Sequence, residues 1–214
     1  MLTGMLSLVR KQTPTRLNQK KTIPMKIAIT GHHHGLGAAL YDKFTIYNRS
    51  GGHNVIGFDI EDGQDIGNRS TLGKIVYAAK DADVFINNAY HATGQTELLK
   101  YLLKLWQHQN KVLVHIGTYL VYAPNDETRL PLHNEYIAQK KVQKSIIDQH
   151  RKTDSTLKIL QINPGLMDTA FLDTMQVPKI PNLQNTLDCA DAIVYNINML
   201  SKGIYVKELT LDNL

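Results

Sequence analysis

Residues 26–37 read KIAITGHHHGLG, and this stretch decides the fold. A short apolar run suited to a buried strand (KIAIT, 26–30) leads straight into a loop holding Gly31, Gly35 and Gly37, and a helical pattern begins near Leu36. Glycine in such a loop lets the backbone approach a pyrophosphate, and the helix N-terminus behind it offers unpaired N–H groups. On composition alone, three glycines at these spacings arise about 0.06 times per chain, so the loop outweighs an ordinary tight turn. His34 and Leu36 lie within it and join the three glycines as candidate cradle residues. His32, His33 and His34 fill the variable positions. Three adjacent residues rarely converge on one tetrahedral ion, and no cysteine or carboxylate cluster accompanies them in the sequence, so no metal is expected.

Outward from this loop the chain alternates apolar runs with helical patterns. Strands are predicted at 26–30, 54–59, 83–87, 111–117, 157–163 and 204–211, and helices near 36–48, 70–80, 95–109, 135–152 and 186–200. Strand, helix, strand repeated in this way implies parallel pairing through right-handed crossovers, hence an α/β fold with one doubly wound sheet. Most of the strands are apolar throughout, as strands covered on both faces should be. The stretch 164–185, rich in Pro, Met and Leu, is predicted to be an irregular functional loop.

The second signal is Asp59, 22 residues after Gly37 at the end of the second strand. An acid there can accept both ribose hydroxyls of NAD and repels the 2′-phosphate of NADP. The chain continues Ile60, Glu61 with no arginine or lysine, which favours NAD(H) and leaves NADP(H) as the alternative.

Composition excludes several classes. With 214 residues, 43% hydrophobic and 20% charged, the chain suits one globular domain. Residues 1–24 hold Arg10, Lys11, Arg16, Lys20 and Lys21 and no acid, which accounts for the whole formal net charge of +5. This basic stretch reads as a disordered extension before a neutral domain at 25–214, and a neutral domain argues against nucleic-acid binding. The single cysteine, Cys189, favours a reducing, cytoplasmic setting. No run approaches the roughly 18 apolar residues of a membrane span.

Taken in order, these motifs resemble the short-chain dehydrogenase/reductase family, whose glycine loop reads TGxxxGxG, over nearly all of residues 25–214. Asp65 with Ile66 resembles the pair that holds the adenine, and NNAY (87–90) resembles NNAG, where backbone near Asn88 and Ala89 passes the cofactor ribose. Thr118 falls at the active-site hydroxyl position, and YIAQK (136–140) supplies Tyr136 and Lys140 at YxxxK. INPGLMDT (162–169) resembles the segment lining the nicotinamide, with Pro164, Gly165 and Thr169. YxxxK alone arises about 0.8 times by chance, so its weight comes from its place in the series.

The resemblance implies a Rossmann-type sheet and an NAD(P)(H)-dependent oxidoreductase acting on a small carbonyl or alcohol. Tyr136 is then the general acid/base. Lys140 favours its phenolate and holds the cofactor ribose, and Thr118 orients the substrate oxygen. A dinucleotide-binding redox sensor without turnover is the alternative. Asp65 follows Asp59 by only six positions, so one edge strand is lost and about six strands remain, in the order 2-1-3-4-5-6. Tyr90 stands where the family has glycine, and Gly94, Gln95 and Thr96 stand where it often has asparagine. Leu166, Met167, Phe171, Leu172, Met175, Val177 and Pro178 form an apolar lid. By the same resemblance, helices near 95–109 and 135–152 would form a homodimer interface, to which Leu98, Leu99, Leu102, Leu103, Leu105 and Trp106 bring surplus apolar surface.

Overall fold

The computed structural model describes residues 24–48, 53–124, 130–178 and 181–211; the predicted N-terminal extension lies almost wholly outside them. Six strands, β1 (Lys26–Thr30), β2 (Asn54–Phe58), β3 (Val84–Asn87), β4 (Val112–Ile116), β5 (Lys158–Pro164) and β6 (Glu208–Leu211), form one all-parallel sheet. Its order is β2-β1-β3-β4-β5-β6, as expected from the shortened spacing. The helices are α1 (Gly35–Asn48), α2 (Arg69–Ala78), α3 (Gly94–Trp106), α4 (Pro131–His150), α5 (Ala170–Thr174) and α6 (Thr186–Leu200).

Side-chain alternation along the strands feeds two cores. Ile27 and Ile29 of β1, with Val84, Ile86, Val114 and Ile162, pack with α1 and α6 on one face of the sheet. Ala28, Phe85, Leu113 and Ile159 point to the other face and meet Leu72 and Ile75 of α2 and Leu98, Leu99, Leu102, Leu103 and Trp106 of α3. This second core corrects the expected interface: five of the six α3 residues assigned to surplus surface are buried within the chain itself, and only Leu105 is exposed.

Element boundaries differ from the reading above in places, and three of the differences have a clear local reason. Helix α4 starts at Pro131 rather than 135, because proline's missing N–H and fixed φ suit a first helical turn. The irregular stretch 164–185 contains α5, and a bridge between Met167 and Gln184 closes its stem. Strand β6 begins only at Glu208, because the Tyr205 hydroxyl takes the β5 edge first, accepting from Ile159 N (2.7 Å) and donating to Ile159 O (2.8 Å). Among the described residues, no helix is long and apolar enough to cross a membrane.

Candidate active site

A cleft of about 710 Å³ opens at the C-terminal ends of the strands, and every candidate site residue except Gly37 lines it. At one end the chain leaves β1 through Gly31 (φ +72) and enters α1 at Gly35 (φ +53), two left-handed conformations that glycine adopts without strain. Gly37 serves packing instead: a Cβ there would lie 1.8 Å from Gly31 O. Asn88 braces the loop from β3, its amide donating to Thr30 O (3.1 Å) and Gly31 O (3.3 Å). The Thr30 hydroxyl accepts from Asn88 N (3.0 Å) and Ala89 N (3.1 Å). The N-terminus of α1 thus faces the cleft in the setting a pyrophosphate needs.

Asp59 is buried beside this loop. Its carboxylate accepts from His33 N and Glu61 N, each at 3.2 Å, and caps the 3-10 turn Ile60–Asp62. A carboxylate has about four lone-pair sites, so two remain for further donors. Ile60 is exposed and Ile66 buried, and both line the cleft here. Asp65 also lines it, although one of its oxygens closes a local turn with Gly67 N (2.7 Å). Exposed His34 reaches Glu61 (2.5 Å), and that carboxylate raises its pKa. Carboxylates do therefore accompany the histidines, contrary to the sequence reading: Glu61 meets His34, and Asp62 meets His32 and His33.

At the other end Thr118, at the tip of β4, and Tyr136 of α4 stand together on the cleft wall. Lys140, one turn further along α4 and 3% exposed, donates from Nζ to Gln95 Oε1 (2.7 Å) and Ile116 O (2.8 Å). Burial lowers its pKa to about 7. Burial likewise pushes the Tyr136 phenol above its ordinary value, and the neighbouring Thr118 hydroxyl only partly opposes this. The expected lowering by Lys140 does not operate in the chain alone. The ammonium is turned to Gln95 and Ile116 and stands 5.4 Å from the Tyr136 ring centre. Tyr90 packs edge-on against Tyr136 (4.9 Å), and Phe171 closes an aromatic triangle with both (5.6 and 5.8 Å).

Behind this wall lies a buried polar network that motif reading missed. Gln95 donates to Asn87 O (3.0 Å) and Ile116 O (3.2 Å). His115 takes Asn87 on Nδ1 (3.3 Å) and Gln143 Oε1 on Nε2 (3.0 Å), and Gln143 donates to Thr96 (2.9 Å). Since Asn87 Nδ2 can only donate, His115 is the neutral Nε2–H tautomer; burial and the nearby Lys140 charge lower its pKa to about 3. The signal was present as polar residues inside apolar runs, Asn87 and His115 on strands and Gln95 on a leucine-rich helix.

The lid contributes Leu166, Met167, Phe171, Leu172, Met175 and Val177 to the cleft; Pro178 is not among the lining residues. Pro164, Gly165 and Thr169 lie along its stem, where the Thr169 methyl would stand 3.1 Å from a Cβ on Gly35. His133 ties α4 to the lid through the Met175 carbonyl (2.5 Å).

The chain has the fold of the short-chain dehydrogenases. Their solved structures overlay on nearly all of it. A short-chain dehydrogenase from Sphingobium yanoikuyae in complex with NADPH covers 88% of this chain and 87% of its own, with a TM-score of 0.66 and 15% identity. The 3-alpha-hydroxysteroid dehydrogenase from Pseudomonas sp. B-0831, complexed with NADH, covers 88% and 95% (TM-score 0.63, 19% identity). A 4-hydroxyisoleucine dehydrogenase complexed with NADH covers 88% and 97% (TM-score 0.64, 16% identity). No family model matches the sequence, and neither does any curated protein. The short-chain dehydrogenase likeness thus rests on backbone geometry and on the ordered motifs.

Proposed function

We infer that the chain is an NAD(H)-dependent oxidoreductase acting on a small, partly apolar carbonyl or alcohol. The observation that carries this reading is that Thr118, Tyr136 and Lys140 line one wall of the cleft whose far end holds the glycine loop and Asp59. The dinucleotide, when bound, supplies hydride transfer at its nicotinamide. Gly31, Gly35 and Leu36 hold its pyrophosphate against the start of α1. Ile60 and Ile66 flank the adenine, which Asp65 helps to hold, and Asp59 accepts from the adenosine ribose. Near the nicotinamide, Asn88, Ala89, Pro164, Gly165 and Thr169 line its path.

The Asp59 carboxylate, which lines the cleft, would face a 2′-phosphate, which supports NAD(H) over NADP(H). Lys140 retains one N–H for the nicotinamide ribose beyond its two hydrogen bonds. Tyr136, kept protonated by burial, donates to a substrate carbonyl oxygen in reduction, and in oxidation takes the proton back. Thr118 donates to the same oxygen and fixes its position. The apolar lid excludes water and sets the substrate class.

The sensor reading has one observation in its favour: Tyr90 and Phe171 crowd the Tyr136 ring. NADH binding followed through the sole tryptophan, Trp106, with a carbonyl screen on wild type and Tyr136→Phe, separates the two. The enzyme reading expects turnover in wild type, a loss of about 10²–10⁴-fold in the variant, and unchanged NADH binding. Binding without any turnover supports the sensor, and no binding removes both readings. Action in a reducing, cytoplasmic setting and pairing of two copies across α3 and α4 belong to the same proposal. Tyr101, Leu105 and Val142 are the exposed apolar side chains for that contact, and sedimentation velocity tests it.

A further inference from the structure

The glycine loop carries three histidines, but its conformation separates their roles. His34 turns along the cleft rim to Glu61. His32 and His33 turn the other way, stack at 4.1 Å, and bring their Nε2 atoms to one oxygen, Asp62 Oδ2, at 3.6 and 3.0 Å. One ligand atom from each of the three side chains lies within 4.8 Å of the others. Bonds of about 2.0–2.2 Å around a tetrahedral ion place neighbouring ligand atoms roughly 3.3–3.5 Å apart, and the observed pair of distances brackets that range.

His32 supplies an independent observation. Its side chain is only 11% exposed, and its Nδ1 is buried without a hydrogen-bond partner. Its Nε2 stops 3.6 Å from Asp62, beyond hydrogen-bond reach. The orphaned Nδ1 lies against Gly57, which leaves Nε2, outside any short hydrogen bond among the described residues, as the ligand atom facing Asp62. The ring is also held in place. It lies against Tyr41 at 4.8 Å and over Gly57 of β2, where any Cβ would meet it at 2.4 Å.

We propose that His32, His33 and Asp62 form a site for a zinc-class divalent cation, joining the glycine loop to the turn that follows β2. Two imidazoles and one carboxylate suit Zn²⁺, Co²⁺ or Ni²⁺ and disfavour Mg²⁺ and Ca²⁺, which take oxygen ligands. Three protein ligands leave a fourth position for water. The site backs onto the dinucleotide cleft without lining it, and it is linked to the cleft through His33 N, which donates to Asp59. An ion there fastens the loop to the carboxylate assigned to the adenosine ribose.

The test uses the full chain, free of any affinity tag and stripped of metal, titrated with Co²⁺ by visible absorption and with Zn²⁺ by calorimetry. One ion per chain is expected, with affinity at least tenfold weaker in Asp62→Asn and in His33→Gln and unchanged in His108→Gln. Both substituted residues are exposed, and far-UV circular dichroism checks that the fold persists. Absence of stoichiometric uptake by the wild-type chain overturns the proposal, as does uptake that both variants retain; the cluster is then an ion-paired loop only. The readout is the metal alone, so it stands or falls separately from the oxidoreductase reading.

Discussion

Lys140 Nζ lies 2.7 Å from Gln95 Oε1, a buried ammonium held by a neutral amide. The burial of this pair fixes the direction in which Lys140 responds to pH. Its pKa falls to about 7 in the folded chain from the ordinary 10.5, so between these values the unfolded chain binds more protons. Stability therefore rises with pH across that window. Chemical denaturation at pH 7, 8 and 9 should show wild type gaining on Lys140→Met as pH increases. A constant difference between the two would contradict this assignment.

His115 acts in the same direction at lower pH. Its folded pKa of about 3 lies below the ordinary 6.5, so as pH drops below 6.5 the unfolded chain gains a proton that the folded chain refuses. The contribution reaches at most about 1.4 kcal/mol per pH unit. Denaturation midpoints at pH 7 and pH 5 should fall less steeply for His115→Asn than for wild type.

Gly37→Ala places a methyl group against Gly31 O, a backbone atom with no room to yield. A loss of about 1–3 kcal/mol of stability is expected from overpacking. NADH affinity should fall at least tenfold as the loop opens, measured by thermal shift and fluorescence titration. Gly73→Ala is the control, because a Cβ there meets nothing within 4 Å.

Asp59→Ala removes a cap as well as the proposed ribose acceptor. A stability loss of about 1 kcal/mol is expected from the cap. NADH binding should weaken tenfold or more, with NADPH binding unchanged or tighter. Equal losses for the two dinucleotides would remove Asp59 from the discrimination.

The fold was legible because its signals are local and periodic. Each predicted strand overlaps an observed one, and the short Asp59–Asp65 spacing announced the missing edge strand. What local pattern could not carry was the choice of partner. The leucines of α3 look like interface until the second core claims them. Tyr205 looks like strand until its hydroxyl is seen to occupy the main-chain groups of Ile159. The Tyr136 environment is dominated by burial, and spacing reveals the neighbouring Lys140 without revealing that its hydrogen bonds go to Gln95 and Ile116. Likewise, Asp62 and His33 lie 29 residues apart in the chain, so their contact had no sequence signature.

Gln184 secures both ends of the lid. Its side-chain oxygen accepts from Gly165 N (3.1 Å) and Cys189 Sγ (3.4 Å), while its backbone pairs with Leu166 O and Asp168 N. The separation of the lid's two stems is therefore set by β5 and α6 and not by the residues between them. Loop closure grows only slowly with length, by about 0.6 kcal/mol per doubling. The arc from 172 to 183 can thus be lengthened, shortened or grafted from another chain while Thr118, Tyr136 and Lys140 stay where they are, which makes this clamp the natural seam for exchanging substrate scope.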